Sequence, residues 1–250
     1  MSEYPLISVI TVVFNNRENF RRTLECVRGL EYPALEYVVI DGGSTDGTQD
    51  IIKENTGFIL KHVSEKDGGI YDAMNKGLKL ASGEYVWFMN AGDEPAGPEI
   101  LKEIFTEPGG DVYYGDTEMI DSDGTSYGKK TLKTPPENLT WRSLIDGMVV
   151  THQSLIVKKS LCPDYDLKYR YVSDIDWAIK VLKRSVKIVN THRVLSRFLI
   201  GGFSRKNTMK SLRERFGMLR VHFGLFRVLI NHVKLSFKFL IYIVKRRKLL

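Results

Sequence analysis

Cysteine is almost missing from this chain. Cys26 and Cys162 are its two, and they stand at no metal-ligand spacing. That sets aside a zinc module or a disulfide scaffold and makes reduced thiols, as in cytosol, the expectation. Also missing is a basic start followed by an apolar stretch and a cleavage site, so residues 1–5 read as leading straight into a strand. No internal repeat or low-complexity tract occurs, which sets aside solenoids and biased linkers. The glycine-bearing turn at 41–47 is not the dinucleotide fingerprint, and no Walker lysine motif appears.

What remains is an ordinary globular composition, 43% hydrophobic and 27% charged over 250 residues. One large domain, or one domain with an appendage, is expected. The net charge of +7 is unevenly placed. Residues 205–250 carry 13 Lys and Arg against Glu214 alone, a net +12, while the first 204 residues carry 24 basic and 29 acidic side chains, a net −5. Such asymmetry points to an anionic surface as partner of the basic end.

Residues 7–119 alternate strand and helix. Residues 8–14 form a continuous β-branched run, suited to a strand buried on both faces. Helices are expected over 17–30, 48–55 and 67–81, the last capped by Asp67, and strands over 35–40, 58–63 and 84–89. That order implies an α/β fold with a mainly parallel sheet and right-handed crossovers. Beyond it, 98–105 reads as a short helix, 111–120 and 125–131 as a hairpin, 149–157 as a strand, 173–184 as a helix and 186–190 as a strand.

Three strands end on polar turns: Asn15-Asn16, Asp41-Gly42-Gly43-Ser44-Thr45-Asp46-Gly47, and Asn90-Ala91-Gly92-Asp93. Carboxyl ends of strands are where open α/β sheets bind ligands. A lone carboxylate such as Asp93 suits a hard divalent ion whose other ligands are phosphate oxygens and water. The glycines of Asp67-Gly68-Gly69 open a helix whose N-terminus favours an anion, with Asn75 and Lys76 farther along it.

Residues 206–244 read as helical, with Arg220, Arg227, Asn231, Lys234, Lys238 and Lys245 recurring on one face among large apolar residues. The charges recur too often for a span of ~20 apolar residues. A wide apolar face with a basic stripe suits a helix lying in a membrane interface. Packing on the domain, or against a second copy in a homo-oligomer, is the alternative. The apolar face is too large for a nucleic-acid binder.

The run Ser8-Val9-Ile10-Thr11-Val12-Val13-Phe14-Asn15, the Asp41 turn, then Asp67-Gly68-Gly69-Ile70-Tyr71-Asp72-Ala73-Met74-Asn75-Lys76-Gly77, then Asn90-Ala91-Gly92-Asp93, together resemble the family 2 glycosyltransferases. The likeness is to bacterial enzymes of capsule, O-antigen and exopolysaccharide assembly, and covers roughly residues 6–204. It implies a GT-A fold: residues 1–93 as a nucleotide-binding half, 94–204 as an acceptor-binding half, and 205–250 as a basic helical tail outside the resemblance. It implies inverting transfer of a hexosyl or N-acetylhexosaminyl group from a nucleotide-sugar, a UDP-sugar first. The acceptor implied is a saccharide carried on a polyprenyl diphosphate at the cytoplasmic face of the cell membrane.

Carried over residue by residue, the resemblance makes Thr11, Val13 and Asn15 nucleotide contacts. Asp41 is implied to read a pyrimidine edge, where a carboxylate accepts a ring N–H. Asp67 is implied to reach base or ribose, and Asn75 and Asn90 go with the nucleotide contacts. Asp93 matches the metal-bound Asp of the Asp-x-Asp motif, with Mg2+ or Mn2+ as cofactor, although Asn90 stands where the first Asp often lies. Asp174, with Asp176 as alternative, matches the base that takes the acceptor proton; Ser173 replaces the Glu of the family's Glu-Asp pair. Ala91, Gly92, His152, Gln153 and Gly202 are candidate donor or acceptor contacts. Two rival readings stand beside this one. A nucleotidyltransferase would want a basic glycine-rich loop that Asn15-Asn16-Arg17 poorly replaces. A membrane scaffold with an inactive transferase domain is opposed by the intact Asp41, Asp93 and Asp174.

Overall fold

A computed structural model describes residues 4–106, 109–129, 134–200 and 208–235. Its centre is a nine-stranded sheet. The strands are β1 (Ile7–Val13), β2 (Leu35–Asp41), β3 (Lys61–Ser64), β4 (Tyr85–Phe88), β5 (Glu94–Pro95), β6 (Val112–Ile120), β7 (Ser126–Lys129), β8 (Leu155–Lys158) and β9 (Ile188–Leu199). The order is β3-β2-β1-β4-β8-β6-β9-β5, with β7 added on β6. The first four are parallel, as the strand–helix alternation requires. The second half is mixed: β8 runs antiparallel to β4 and β6, and β9 runs parallel to β6.

Because successive side chains of a strand face opposite ways, the sheet makes two cores. Ile7, Val9 and Val13 pack under α1 (Arg17–Arg28), α2 (Thr48–Glu54) and α4 (Ile100–Ile104). Ile10 and Val12 pack under α3 (Ile70–Leu80) and α5 (Ser173–Arg184). In α3, Gly77 lets helix and strand approach: a Cβ there would stand 2.5 Å from Ile10 Cγ2. At the far end of the second half, buried Glu94 takes Arg22 and, at 3.0 Å, Arg197, which also holds Glu118. This cluster ties β9 to α1.

Several expectations change. The helix expected from Asp67 starts at Ile70, and Asp67 accepts instead from the Gly69 N–H at 2.9 Å. Residues 149–157 are not one strand; only Leu155–Lys158 pairs, and His152–Ser154 is a single 3-10 turn. The strand expected at 186–190 runs on to Leu199.

The tail is helical from Thr208 to Phe223 (α6) and again over 225–235 (α7), broken at Gly224, whose φ of +80° is left-handed. Lys238 and Lys245 lie outside the described residues. Met218, Leu219, Phe223 and Val228 are buried in the core beneath α5. Phe223 stacks on Trp141 at 5.2 Å, His222 Nε2 meets Asp176 Oδ1 at 2.7 Å, and Asn231 donates to Asp146 at 2.9 Å. Asn231 therefore faces the domain, not a polar outer stripe. The outward face of α7 is apolar: Phe226, Leu229, Ile230 and Val233 are exposed, opposite buried Val228. Among the described residues no helix is long and apolar enough to cross a membrane.

Candidate active site

The carboxyl ends of β1, β2 and β4 and the N-termini of α3 and α5 meet at one edge of the sheet. The first two turns are laced together there. Asn15, left-handed at φ 44°, donates its N–H to Ser44 Oγ at 2.7 Å and accepts the Thr45 N–H at 2.8 Å. Asp46 accepts the Arg17 N–H at 2.9 Å. Asp67 lies over Gly42, where a Cβ would stand 2.6 Å from its Oδ2 and 3.2 Å from Phe14 Cδ2. Phe14 is 61% exposed, an aromatic face left bare beside Asp67 and Asn15. Sequence reasoning passed over it as the end of a buried run. Its signal was the one aromatic among β-branched residues, at the position where the strand stops.

Several expected contacts have inward work instead. Thr11 is fully buried, donating to the Met89 carbonyl at 2.6 Å and accepting from Tyr37, and Val13 is core. Asp41 is fully buried, its carboxylate accepting from the Ser44 N–H and the Ser64 hydroxyl. These bonds hold the turn in shape. Asn75 has both amide atoms on the backbone of Tyr165, at 3.0 and 2.7 Å. Gly68 and Gly69 donate to Asp72 and Asp67, so those two N–H groups of the α3 start are already engaged. Gly92 is buried under Leu199. Gly202 lies outside the described residues.

Asp93, the expected metal contact, is enclosed. It is 5% exposed, with Oδ1 accepting the Leu199 N–H at 3.1 Å and Oδ2 accepting from Gln153 Nε2 at 2.6 Å. Burial pushes its carboxyl up to about 7, against the downward pull of those two donors. A group so enclosed does not fit a divalent ion that must also reach a nucleotide. Nor do three or more His, Cys, Asp or Glu gather to hold one among the described residues. Neighbouring Asn90 is half-buried and its Oδ1 is buried without a hydrogen-bond partner, a single neutral oxygen.

The two candidate bases differ. Asp176 is buried and held by Lys180 at 2.6 Å and His222 at 2.7 Å. Burial pushes it up, but those partners prevail and keep its carboxyl below the usual range. It is thus a strut between α5 and the tail. Asp174, in the first turn of α5, is half-buried. Its Oδ1 accepts from Tyr71 Oη at 3.1 Å and the Ile175 N–H at 2.9 Å. Burial raises it to about 6, which leaves a carboxylate that is ionised at neutral pH yet more basic than usual. Tyr71 lies in the first turn of α3, four residues after Asp67, so this link joins Asp174 to the strand-end edge.

His152 is buried beneath this link. Its Nε2 pairs with Tyr165 Oη at 2.7 Å, its Nδ1 has no partner, and burial lowers it to about 4, keeping the ring neutral. Gln153 is engaged by Asp93.

A family model described as glycosyl transferase family 2 matches residues 8–161. An uncharacterized glycosyltransferase of Mycobacterium tuberculosis is 30% identical over 184 residues, covering 72% of this chain and 70% of the relative. The putative teichuronic acid biosynthesis glycosyltransferase TuaG of Bacillus subtilis is 24% identical, covering 86% and 88%. A PGL/p-HBAD biosynthesis glycosyltransferase of Mycobacterium bovis is 27% identical, covering 86% and 85%. Among solved structures, S. aureus TarS 1-349 in complex with UDP superimposes with a TM-score of 0.65 at 19% identity, over 86% of this chain and 65% of that one. The mannosyltransferase PcManGT of Pyrobaculum calidifontis, in complex with GDP-Man and Mn2+, gives 0.62 at 18% identity, over 86% and 64%. The chain thus spans just under two thirds of these two structures.

Proposed function

Because the chain belongs to glycosyl transferase family 2 and is a glycosyltransferase of GT-A fold, we propose that it transfers a sugar from a UDP-sugar with inversion, using Asp174 as base. The observation that carries the reading is the placement of Asp174: a half-buried, basic carboxylate at the strand-end edge, joined through Tyr71 to the helix that follows Asp67. Asp174 takes the proton of an acceptor hydroxyl. That oxygen forms the new bond to the anomeric carbon as the bond to the diphosphate breaks on the opposite face. Phe14 is the stacking platform for the base, and Asn15 and Asp67 line it. Asp41 acts through the turn it holds. A uridine nucleotide is favoured because TarS structures were solved with UDP and UDP-GlcNAc. A divalent cation accompanies GDP-Man in the Mn2+ complex of PcManGT; enclosed Asp93 does not fit as its ligand in this reading.

The acceptor in this reading is a cell-surface saccharide on a polyprenyl diphosphate, in line with relatives named for teichuronic acid and PGL/p-HBAD biosynthesis. The exposed apolar face of α7, a helix that also exposes Arg227 and Lys234, rests on the anionic cytoplasmic membrane face. Removing residues 207–250 would not test this. It would strip Met218, Leu219, Phe223 and Val228 from the core, at roughly 1.5–3 kcal/mol each. Replacing exposed Phe226 and Ile230 by Glu leaves the core intact. That variant is expected to stay in the supernatant when anionic vesicles are sedimented, and co-sedimentation equal to wild type would refute the membrane contact. For the chemistry, NMR of the product from an α-linked UDP-sugar is expected to show a β-linkage. A retained α-linkage would refute single displacement.

A further inference from the structure

The motif on α3 has a second role that the nucleotide contacts do not account for. Tyr71, Asn75 and Gly77 all face inward, toward the second half of the fold or the sheet beneath. The Tyr71 ring stacks on Tyr165 at 5.7 Å and 18°. Tyr165 stacks in turn on Trp177 of α5 at 5.1 Å and 8°. Three parallel rings thus run from α3 to the helix that carries Asp174. The middle ring is pinned from three sides. Asn75 holds its backbone N–H and carbonyl, His152 Nε2 holds its hydroxyl at 2.7 Å, and Trp177 Nε1 donates to the carbonyl of Pro163, two residues before it, at 2.9 Å.

With its ring clamped, Tyr71 has one direction for its hydroxyl, and that is Asp174 Oδ1. Both the hydroxyl and the Ile175 N–H fall on Oδ1, so neither of these donors occupies Oδ2. We propose that Tyr71 is a positioning residue for glycosyl transfer, holding the Asp174 carboxylate in one orientation and stabilising its ionised form from the nucleotide-binding half. The proposal rests on the reading of Asp174 as the base.

Among the described residues, the groups that face Asp174 from other elements are Tyr71 on α3, Tyr165 in the preceding loop, and Glu214 on α6, whose Oε1 accepts the Tyr171 N–H at 3.1 Å. Glu214, a like charge, disfavours the carboxylate. The Tyr71 hydroxyl donates to it and opposes both Glu214 and burial. Burial also holds the phenol itself far above its ordinary value, so it remains a donor throughout the working range.

The test compares full-length wild type, Tyr71→Phe, Glu214→Gln and Asp174→Asn, with transfer followed from about pH 5 to about pH 9. Phe keeps the ring in the stack and removes only the donor. Tyr71→Phe is expected to lower kcat roughly tenfold near neutral pH, to leave the donor KM within about twofold, and to move the acid limb to higher pH. Glu214→Gln keeps an oxygen for the Tyr171 N–H and is expected to move the limb the other way. An acid limb of Tyr71→Phe superimposable on wild type, with Asp174→Asn inactive, would overturn the Tyr71 assignment alone. Turnover retained by Asp174→Asn would overturn the base and this proposal together.

Discussion

Replacing Asp93 by Ala separates a buried strut from a metal ligand. The substitution removes the acceptor from two donors, the Leu199 N–H at 3.1 Å and Gln153 Nε2 at 2.6 Å. A buried donor left unsatisfied costs roughly 1–3 kcal/mol, so the pair amounts to roughly 2–6 kcal/mol. Against that stands the cost of ionising a buried carboxyl. Its pKa is raised from 3.8 to about 7, chiefly by burial. A raised value means the folded state holds the proton more tightly. The stability associated with it is therefore full below the unfolded value and is lost as pH rises through about 7. Over that interval wild type loses up to roughly 4 kcal/mol that the Ala variant never had. Urea unfolding is expected to find Asp93→Ala less stable by roughly 2–6 kcal/mol at about pH 5, with the gap narrowing strongly by about pH 8. Calorimetry with UDP and Mn2+, on protein that is still folded, is expected to find affinity within about threefold of wild type. An Asp93→Ala protein as stable as wild type at about pH 5, but without Mn2+-dependent UDP binding, would refute the reasoning.

Other outcomes follow from the same geometry. Phe14→Ala removes an exposed ring from the proposed base platform and is expected to weaken UDP binding roughly tenfold without changing the unfolding midpoint; unaltered affinity would remove Phe14 from the site. Glu36, 4% exposed, is raised by burial, but Lys61 and the Ser8 and Ser82 hydroxyls prevail and hold it at about 2. Its contribution is present above the unfolded value of 4.5 and is lost as pH falls through about 2, so Glu36→Gln is expected to cost roughly 1–3 kcal/mol at neutral pH and little at about pH 2. Equal denaturation midpoints at neutral pH would contradict this.

The parallel half of the fold was legible because strands buried on both faces are predominantly apolar and β-branched. Residues 8–13 and 37–40 have few alternatives to a central strand. The helix that carries Asp174 was legible at both ends, since Ser173, two early acids and a late Lys-Arg pair mark the termini of Ser173–Arg184. What local reading missed was direction. Thr11 within β1, Asn75 within α3 and Asp93 in the turn after β4 are polar residues, and each looked ligand-ready. Their partners, Met89, Tyr165 and the Gln153–Leu199 pair, lie 60 to 106 residues away in sequence. No local pattern announces such a partner. The tail shows the same limit. Its helical period was visible, but Asn231 turns inward to Asp146, and the apolar face of α7 is the one left outside. The 3-10 turn at His152 falls in a polar stretch, residues 151–154, between two apolar ones, and periodicity alone does not separate a short strand from a turn that leads into one.

The central claim is that Asp174 takes the acceptor proton. The most direct measurement is the single-turnover rate of Asp174→Asn, with UDP affinity determined on the same preparation. Asn keeps an oxygen for Tyr71 and for the Ile175 N–H but is not a base. The account predicts that transfer falls by roughly 10²-fold or more while UDP affinity stays within about twofold. Transfer at the wild-type rate with UDP still bound would contradict it and place the base elsewhere.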